Sequence, residues 1–234
     1  YIMKLIEREF YLNKLINVID TIDIKIITGV RRSGKSKLLE SFKKYIENNI
    51  KDNNIILINY NLPEYEDLTD YHNLYNYIES KYVDNKKNFV LIDEVQMCEN
   101  FEKAINGLHA KEKYDIYLTG SNAFLLSSDL ATLFTGRTFE IKVFPFSFGE
   151  YMQYFNYSDK YAAVDKYMLE GGMSGSYLYK DQEAKYRWSL RLLEVPSFLG
   201  WKPLIVFSDS MEPEMSSGDV AIVKEVDVTT LKQN

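Results

Sequence analysis

Eight consecutive residues, Gly29-Val30-Arg31-Arg32-Ser33-Gly34-Lys35-Ser36, follow the spacing G-x-x-x-x-G-K-[ST]. The chemistry this order suits is the grip on a polyphosphate. The two glycines let the backbone turn tightly enough for successive amides to point at phosphate oxygens, and a helix opening at Lys35 adds its positive end. Lys35 then reaches the β- and γ-phosphates while the Ser36 hydroxyl binds magnesium. The binding set is read as Gly29, Arg31, Arg32, Ser33, Gly34, Lys35, Ser36 and Lys37, with Arg31 and Arg32 facing solvent or phosphate and given no catalytic role.

A second constellation completes this chemistry. Phe89, Val90, Leu91 and Ile92 run directly into Asp93-Glu94. A buried strand ending in carboxylates delivers them to the crevice at the strand ends, where α/β sheets bind ligands. Asp93 is read, with Ser36, as the metal-side group, and Glu94 as the base that orients an attacking water. The cofactors expected from these residues are ATP and Mg2+.

These residues need elements that hold them. Ile22, Ile24 and Ile26 alternate with Asp23 and Lys25 before Ile27 and Thr28, which predicts a first strand stopping at Gly29. Leu38, Leu39, Phe42 and Ile46 then recur at helical spacing, and Asn48 and Asn49 offer an end. Further strands are expected at Ile55 to Ile58, Phe89 to Ile92, Ile116 to Leu118 and Phe139 to Val143. Helical spacing separates them at Tyr71 to Tyr82 and at Phe101 to Leu108. Ser147 followed by Glu150 has the form of a capping box, so a helix is expected near Phe148, and another over Tyr161 to Leu169 stopped by Gly171-Gly172. Short apolar strands alternating with helices give the class α/β, a P-loop NTPase with a parallel sheet covered by helices on both faces.

Bulk properties narrow the setting. The chain has 234 residues, a formal net charge of −6 and one cysteine, Cys98. That charge argues against nucleic acid held by bulk electrostatics. A lone cysteine cannot form an internal disulfide, and with no zinc-spaced His/Cys cluster a cytoplasmic home is expected, with Cys98 as a packed side chain. No apolar run approaches the roughly 18 residues that span a bilayer. The 19 tyrosines are read as amphipathic packing rather than a base-stacking surface.

Four ordered motifs carry a resemblance. Gly-Val-Arg-Arg-Ser-Gly-Lys-Ser, Leu-Ile-Asp-Glu-Val-Gln at 91 to 96, Leu-Thr-Gly-Ser-Asn at 118 to 122, and Gly-Arg-Thr with Pro-Phe-Ser-Phe-Gly-Glu-Tyr between 136 and 151 look like the archaeal-type AAA-like ATPases of prokaryotes. The likeness runs from about Met3 to Tyr186. It implies an ATPase with Walker A and Walker B motifs, a nucleotide partner, and a protein partner or further copies of itself. It also implies a sensor at the end of the fourth strand, on Ser121 or Asn122. Arg137 matches the family's Gly-Arg, where a guanidinium steadies transition-state charge in cis or in a neighbour, or else makes a structural salt bridge.

Composition shifts near Arg191, where prolines appear at Pro196, Pro203 and Pro213 around two β-like runs. Gly200-Trp201-Lys202-Pro203, Ser208-Asp209-Ser210-Met211-Glu212-Pro213 and Gly218-Asp219 resemble the nucleophile region of type I signal peptidases of the endoplasmic-reticulum and spore-former kind. That resemblance implies Ser210 as a nucleophile. A membrane helix and a downstream Lys or His base belong to that family's pattern and are not in this sequence, so Ser210 is expected to be inactive here. The expectation is thus an ATPase over residues 1–188 joined to a truncated, small β-rich segment over 189–234. The rival readings are a membrane-bound serine peptidase represented by its opening, and a slow nucleotide-binding switch or adaptor.

Overall fold

The computed structural model describes residues 6–120, 134, 136–181, 184, 185, 188, 201–205 and 220–224, the last two stretches by their backbone. It divides into two compact units, Glu7–Val143 and Tyr1–Ile6 with Phe144–Asn234.

In the first unit the chain alternates as the sequence predicts, with one element the periodicity missed. That element is helix α1 (Glu9–Asn17), which precedes β1 (Ile24–Thr28), α2 (Lys35–Asn49) and β2 (Asn53–Asn59). A 3-10 turn and α3 (Tyr71–Ser80) lead to β3 (Lys87–Asp93), a one-turn 3-10 helix (Val95–Met97), α4 (Phe101–His109), β4 (Tyr114–Thr119) and β5 (Thr138–Lys142). The five strands pair in the order β2-β3-β4-β1-β5, every pairing parallel. Because all strands run the same way, their C-terminal residues share one edge of the sheet.

The central strands β1, β3 and β4 are buried along most of their length, and alternate side chains of the sheet enter two separate cores. Ile24, Ile26, Ile56, Ile58, Val90, Ile92, Ile116 and Leu118 pack with Leu74 and Ile78 of α3 and Phe101, Ile105 and Leu108 of α4. Ile27, Phe89, Leu91, Tyr117 and Ile141 point the other way, onto Tyr11 and Leu15 of α1 and Leu38, Leu39, Phe42 and Ile46 of α2. Each such side chain fully buried contributes about 1.5–3 kcal/mol. The parallel sheet is therefore flanked by helices on both faces.

Lys25 breaks the apolar rule. It lies on the α1/α2 face of β1 with no solvent exposure. Its ammonium donates to Asp115 Oδ1 at 2.6 Å and to the Thr21 carbonyl at 2.6 Å, and it stands over the Tyr117 ring. Ile22, expected in the first strand, lies before it and is 66% exposed.

In the second unit the capping box forms as predicted. The Ser147 amide donates to Glu150 Oε2 at 2.8 Å, the Glu150 amide donates to Ser147 Oγ at 3.3 Å, and α5 (Phe148–Phe155) begins there. Asp159 caps α6 (Lys160–Glu170), which stops at Gly171 with φ +67°. Tyr151, Tyr154, Phe155, Tyr167 and Tyr177 pack ring against ring. Two five-residue strands, β6 (Trp201–Ile205) and β7 (Val220–Lys224), pair antiparallel. The expected small β-rich C-terminal segment is not found as a distinct body among the described residues, since one two-stranded ribbon has no second layer on which to build a core. Among the described residues no helix is long and apolar enough to cross a membrane.

Candidate phosphate site

The loop after β1 owes its shape to two glycines. Gly29 has φ +150°, and a Cβ there would lie 2.2 Å from the Val143 carbonyl oxygen, so a side chain is excluded by backbone. Gly34 is left-handed at φ +98° and forms the N-cap of α2. No side chain caps that helix, and no acidic residue lies in its first turn. Its first amides are thus left to an anion, with the helix dipole behind them.

Lys35 is 5% exposed and its ammonium donates to the carbonyls of Gly29 at 2.9 Å and Val30 at 3.2 Å. Burial holds its pKa below the ordinary lysine value, and the carboxylates of Glu94 and Asp93 pull the other way. Ser36 hydrogen-bonds the Asp93 carboxylate. Asp93, at the end of β3, is 2% exposed, and burial raises its pKa against the lowering effect of hydrogen bonds from Thr119 and Ser36.

Thr119 is the residue that sequence reasoning missed. It ends β4, which sits between β1 and β3 and places it beside both. Its fully buried hydroxyl donates to Asp93 Oδ1 and accepts from the Glu94 amide at 3.1 Å. A lone threonine at the end of an apolar strand carries no sequence signal of its own; the sheet order creates its role. Glu94 follows with left-handed φ +58° and ψ +50°, a conformation that costs a non-glycine residue about 1–2 kcal/mol.

Two further oxygens matter here. Ser33 Oγ and Asp93 Oδ2 are buried and accept or donate no hydrogen bond. A buried polar atom of this kind can be satisfied by a water or an ion. Among the described residues no group of three or more His, Cys, Asp or Glu side chains is arranged to hold a metal. Ser36 with Asp93 nonetheless fits magnesium, which keeps several waters and takes one or two protein oxygens beside phosphate.

The remaining candidates lie apart from this cluster. Arg31 and Arg32 are exposed, and Lys37 is exposed with its ammonium 2.8 Å from Glu40. Arg137 stands just before β5, its carbonyl accepting from the Ile24 amide at 2.8 Å, so it lies at the N-terminal edge of the sheet, opposite the loop. Asn122, its neighbour Ser121 and Ser210 lie outside the described residues.

Comparison with known proteins gives this geometry a family. A family model described as "AAA domain" (AAA_14) matches residues 22–152, more than half of the chain. The chain belongs to that family. An uncharacterised protein of Haemophilus influenzae is 41% identical over 175 residues, covering 74% of this chain and 44% of that protein. An uncharacterised protein of Methanocaldococcus jannaschii is 32% identical over 151 residues, 61% of this chain and 32% of that protein. The chain spans less than half the length of these two relatives. Among solved structures, Cdc6p of Pyrobaculum aerophilum covers 80% of this chain and is covered over 63% of its own, with a TM-score of 0.50 at 10% identity. AMPPCP-bound DnaA of Aquifex aeolicus covers 82%, and 61% of that chain, with a TM-score of 0.47 at 18% identity.

These matches describe one continuous AAA+ P-loop ATPase domain. They overturn the expectation of an ATPase fused to a signal-peptidase-like segment: one fold of the Cdc6 kind extends over 80% of the chain.

Proposed function

We propose that this chain binds ATP with magnesium and hydrolyses it, and that turnover drives a conformational switch read by a protein partner or by further copies of the chain. The observation that carries this reading is the convergence of Lys35, Ser36 and Asp93 at one edge of the sheet, with Ser33 Oγ and Asp93 Oδ2 buried and unpartnered among them. The amides of the loop and of the first turn of α2 grip the phosphate oxygens, and Lys35 adds a point charge at the β- and γ-phosphates. Ser36 and Asp93 hold the metal, whose contribution when bound is to neutralise charge on those oxygens. Glu94 accepts a proton from the attacking water. Membership of the AAA family and the fold support nucleotide binding by this loop.

The test is nucleotide titration and phosphate release for the parent, Lys35→Ala and Glu94→Gln. Lys35→Ala is expected to lose ATP affinity, by about 100-fold or more, because the main cation at the phosphates is gone. Glu94→Gln is expected to keep ATP affinity and lose about 100-fold or more in turnover, because an amide has the shape of the carboxylate and cannot take a proton. Three proteins hydrolysing ATP alike would refute the assignment.

A further inference from the structure

Gln96 lies two residues beyond Glu94 in the 3-10 turn Val95–Met97. The turn is fixed. Val95 has no solvent exposure, the Met97 amide donates to the Glu94 carbonyl at 3.0 Å, and the Cys98 amide donates to the Val95 carbonyl at 3.1 Å. From this position Gln96 Nε2 donates to Glu94 Oε2. An ionised carboxylate only accepts, so the amide must face it with its nitrogen, and the orientation of the group is set by chemistry. The carbonyl oxygen is then turned away from Glu94. That atom, Gln96 Oε1, is buried and has no hydrogen-bond partner.

We propose that Gln96 is a second water-orienting catalytic residue, its amide nitrogen locking Glu94 and its carbonyl oxygen receiving the other proton of the attacking water. This rests on the ATPase reading above and deepens it. A water attacks with a lone pair, so its two protons must point away from phosphorus, and two acceptors fix that orientation where one leaves it free to rotate. Glu94 Oε1 and Gln96 Oε1 supply two. The Glu94 amide is tied to Thr119 and its carboxylate to Gln96, so the base is held at both ends. In the step, the water oxygen bonds to the γ-phosphorus and one proton passes to Glu94. The bond from the γ-phosphorus to the β,γ-bridging oxygen breaks, and its electron pair leaves with ADP. The second proton stays on the new phosphate oxygen, hydrogen-bonded to Gln96.

The experiment compares the parent with Gln96→Met, which keeps length and loses both polar atoms, and with Gln96→Ala as a second variant. Affinities for ADP and ATP are expected within about 2-fold of the parent, while turnover falls about 100-fold, the lower end for a positioned proton acceptor. Affinity for ADP with aluminium fluoride, which mimics the transferring phosphoryl group, is expected to fall well below the parent's while ADP affinity holds. This binding arm reads the same site where basal turnover is slow. Turnover and ADP–aluminium fluoride affinity both within 2-fold of the parent would overturn the proposal. So would a loss of ADP affinity as large as the loss of turnover, since that marks a structural role. A parent that does not bind ATP, or a Glu94→Gln variant that hydrolyses like it, would remove the ATPase reading instead.

Discussion

Thr119 shows how much one small side chain can tie together. Its hydroxyl serves Asp93 as a donor and Glu94 as an acceptor, so both carboxylate residues depend on it for position. Thr119→Val keeps the shape and leaves the buried Asp93 carboxylate without this donor and the half-buried Glu94 amide without an acceptor, which costs about 1–3 kcal/mol. The variant is expected to unfold at a lower temperature, by roughly 2–4 °C per kcal/mol for a chain of this size. Thr119→Ser is expected to restore both the midpoint and ATP turnover; a valine variant with the parent's midpoint would show that the network is idle. Gln96 belongs to the same scale. It stands inside the run Leu-Ile-Asp-Glu-Val-Gln, yet its spacing says nothing of a role, because its contact with Glu94 is made by a turn whose shape depends on left-handed Glu94.

At the scale of elements, parallel strands put Asp93 and Glu94 at one edge and leave the other edge to a different problem. There β1 and β4 are joined by buried Lys25 and half-buried Asp115. Burial raises the Asp115 pKa, and the Lys25 charge, its own hydrogen bond and the Asp20 amide only oppose this. A carboxyl whose folded pKa is raised binds its proton more tightly in the folded state. Its contribution is therefore full below the unfolded value and is lost as pH rises through the folded value. Lys25→Met removes the cation and leaves Asp115 alone, an expected loss of about 3–5 kcal/mol at pH 7. Denaturant titration as a function of pH is expected to show that deficit shrinking as pH falls and Asp115 takes up its proton. A deficit that stays constant from pH 7 to pH 4 would contradict the account. The double variant Lys25→Met with Asp115→Leu is expected to recover most of the loss, because a well-packed apolar pair needs no desolvation of charge.

For the whole molecule, a ligand that binds only the folded chain stabilises it by mass action. ATP with magnesium at about 100 times its dissociation constant adds about 2.7 kcal/mol, and the melting temperature should rise by several degrees. Chelating the metal is expected to remove part of that rise, and Lys35→Ala to abolish it; an unchanged midpoint in saturating nucleotide would argue against binding. Much of the fold was legible beforehand because a buried parallel sheet writes itself as apolar runs alternating with amphipathic helices. Each of the five expected strands and the helix after the glycine loop has its counterpart. Helix α1 was not legible, since its nine residues carry no side-chain cap and its Tyr11 and Leu15 are buried by packing with α2 and the sheet. Arg8, the residue before it, donates to the Ser33 carbonyl at 2.9 Å across 25 positions, a contact no local pattern announces. The C-terminal peptidase likeness rested on one short motif, whereas the matches describe an AAA+ domain. By itself, then, the sequence determined what is local, namely the glycine loop, the helix that follows it and the carboxylates at the end of a strand. Sheet order and burial decided what is not local. Setting β4 between β1 and β3 brought Thr119 to Asp93, because hydrogen bonds between distant residues exist only once the strands are in register.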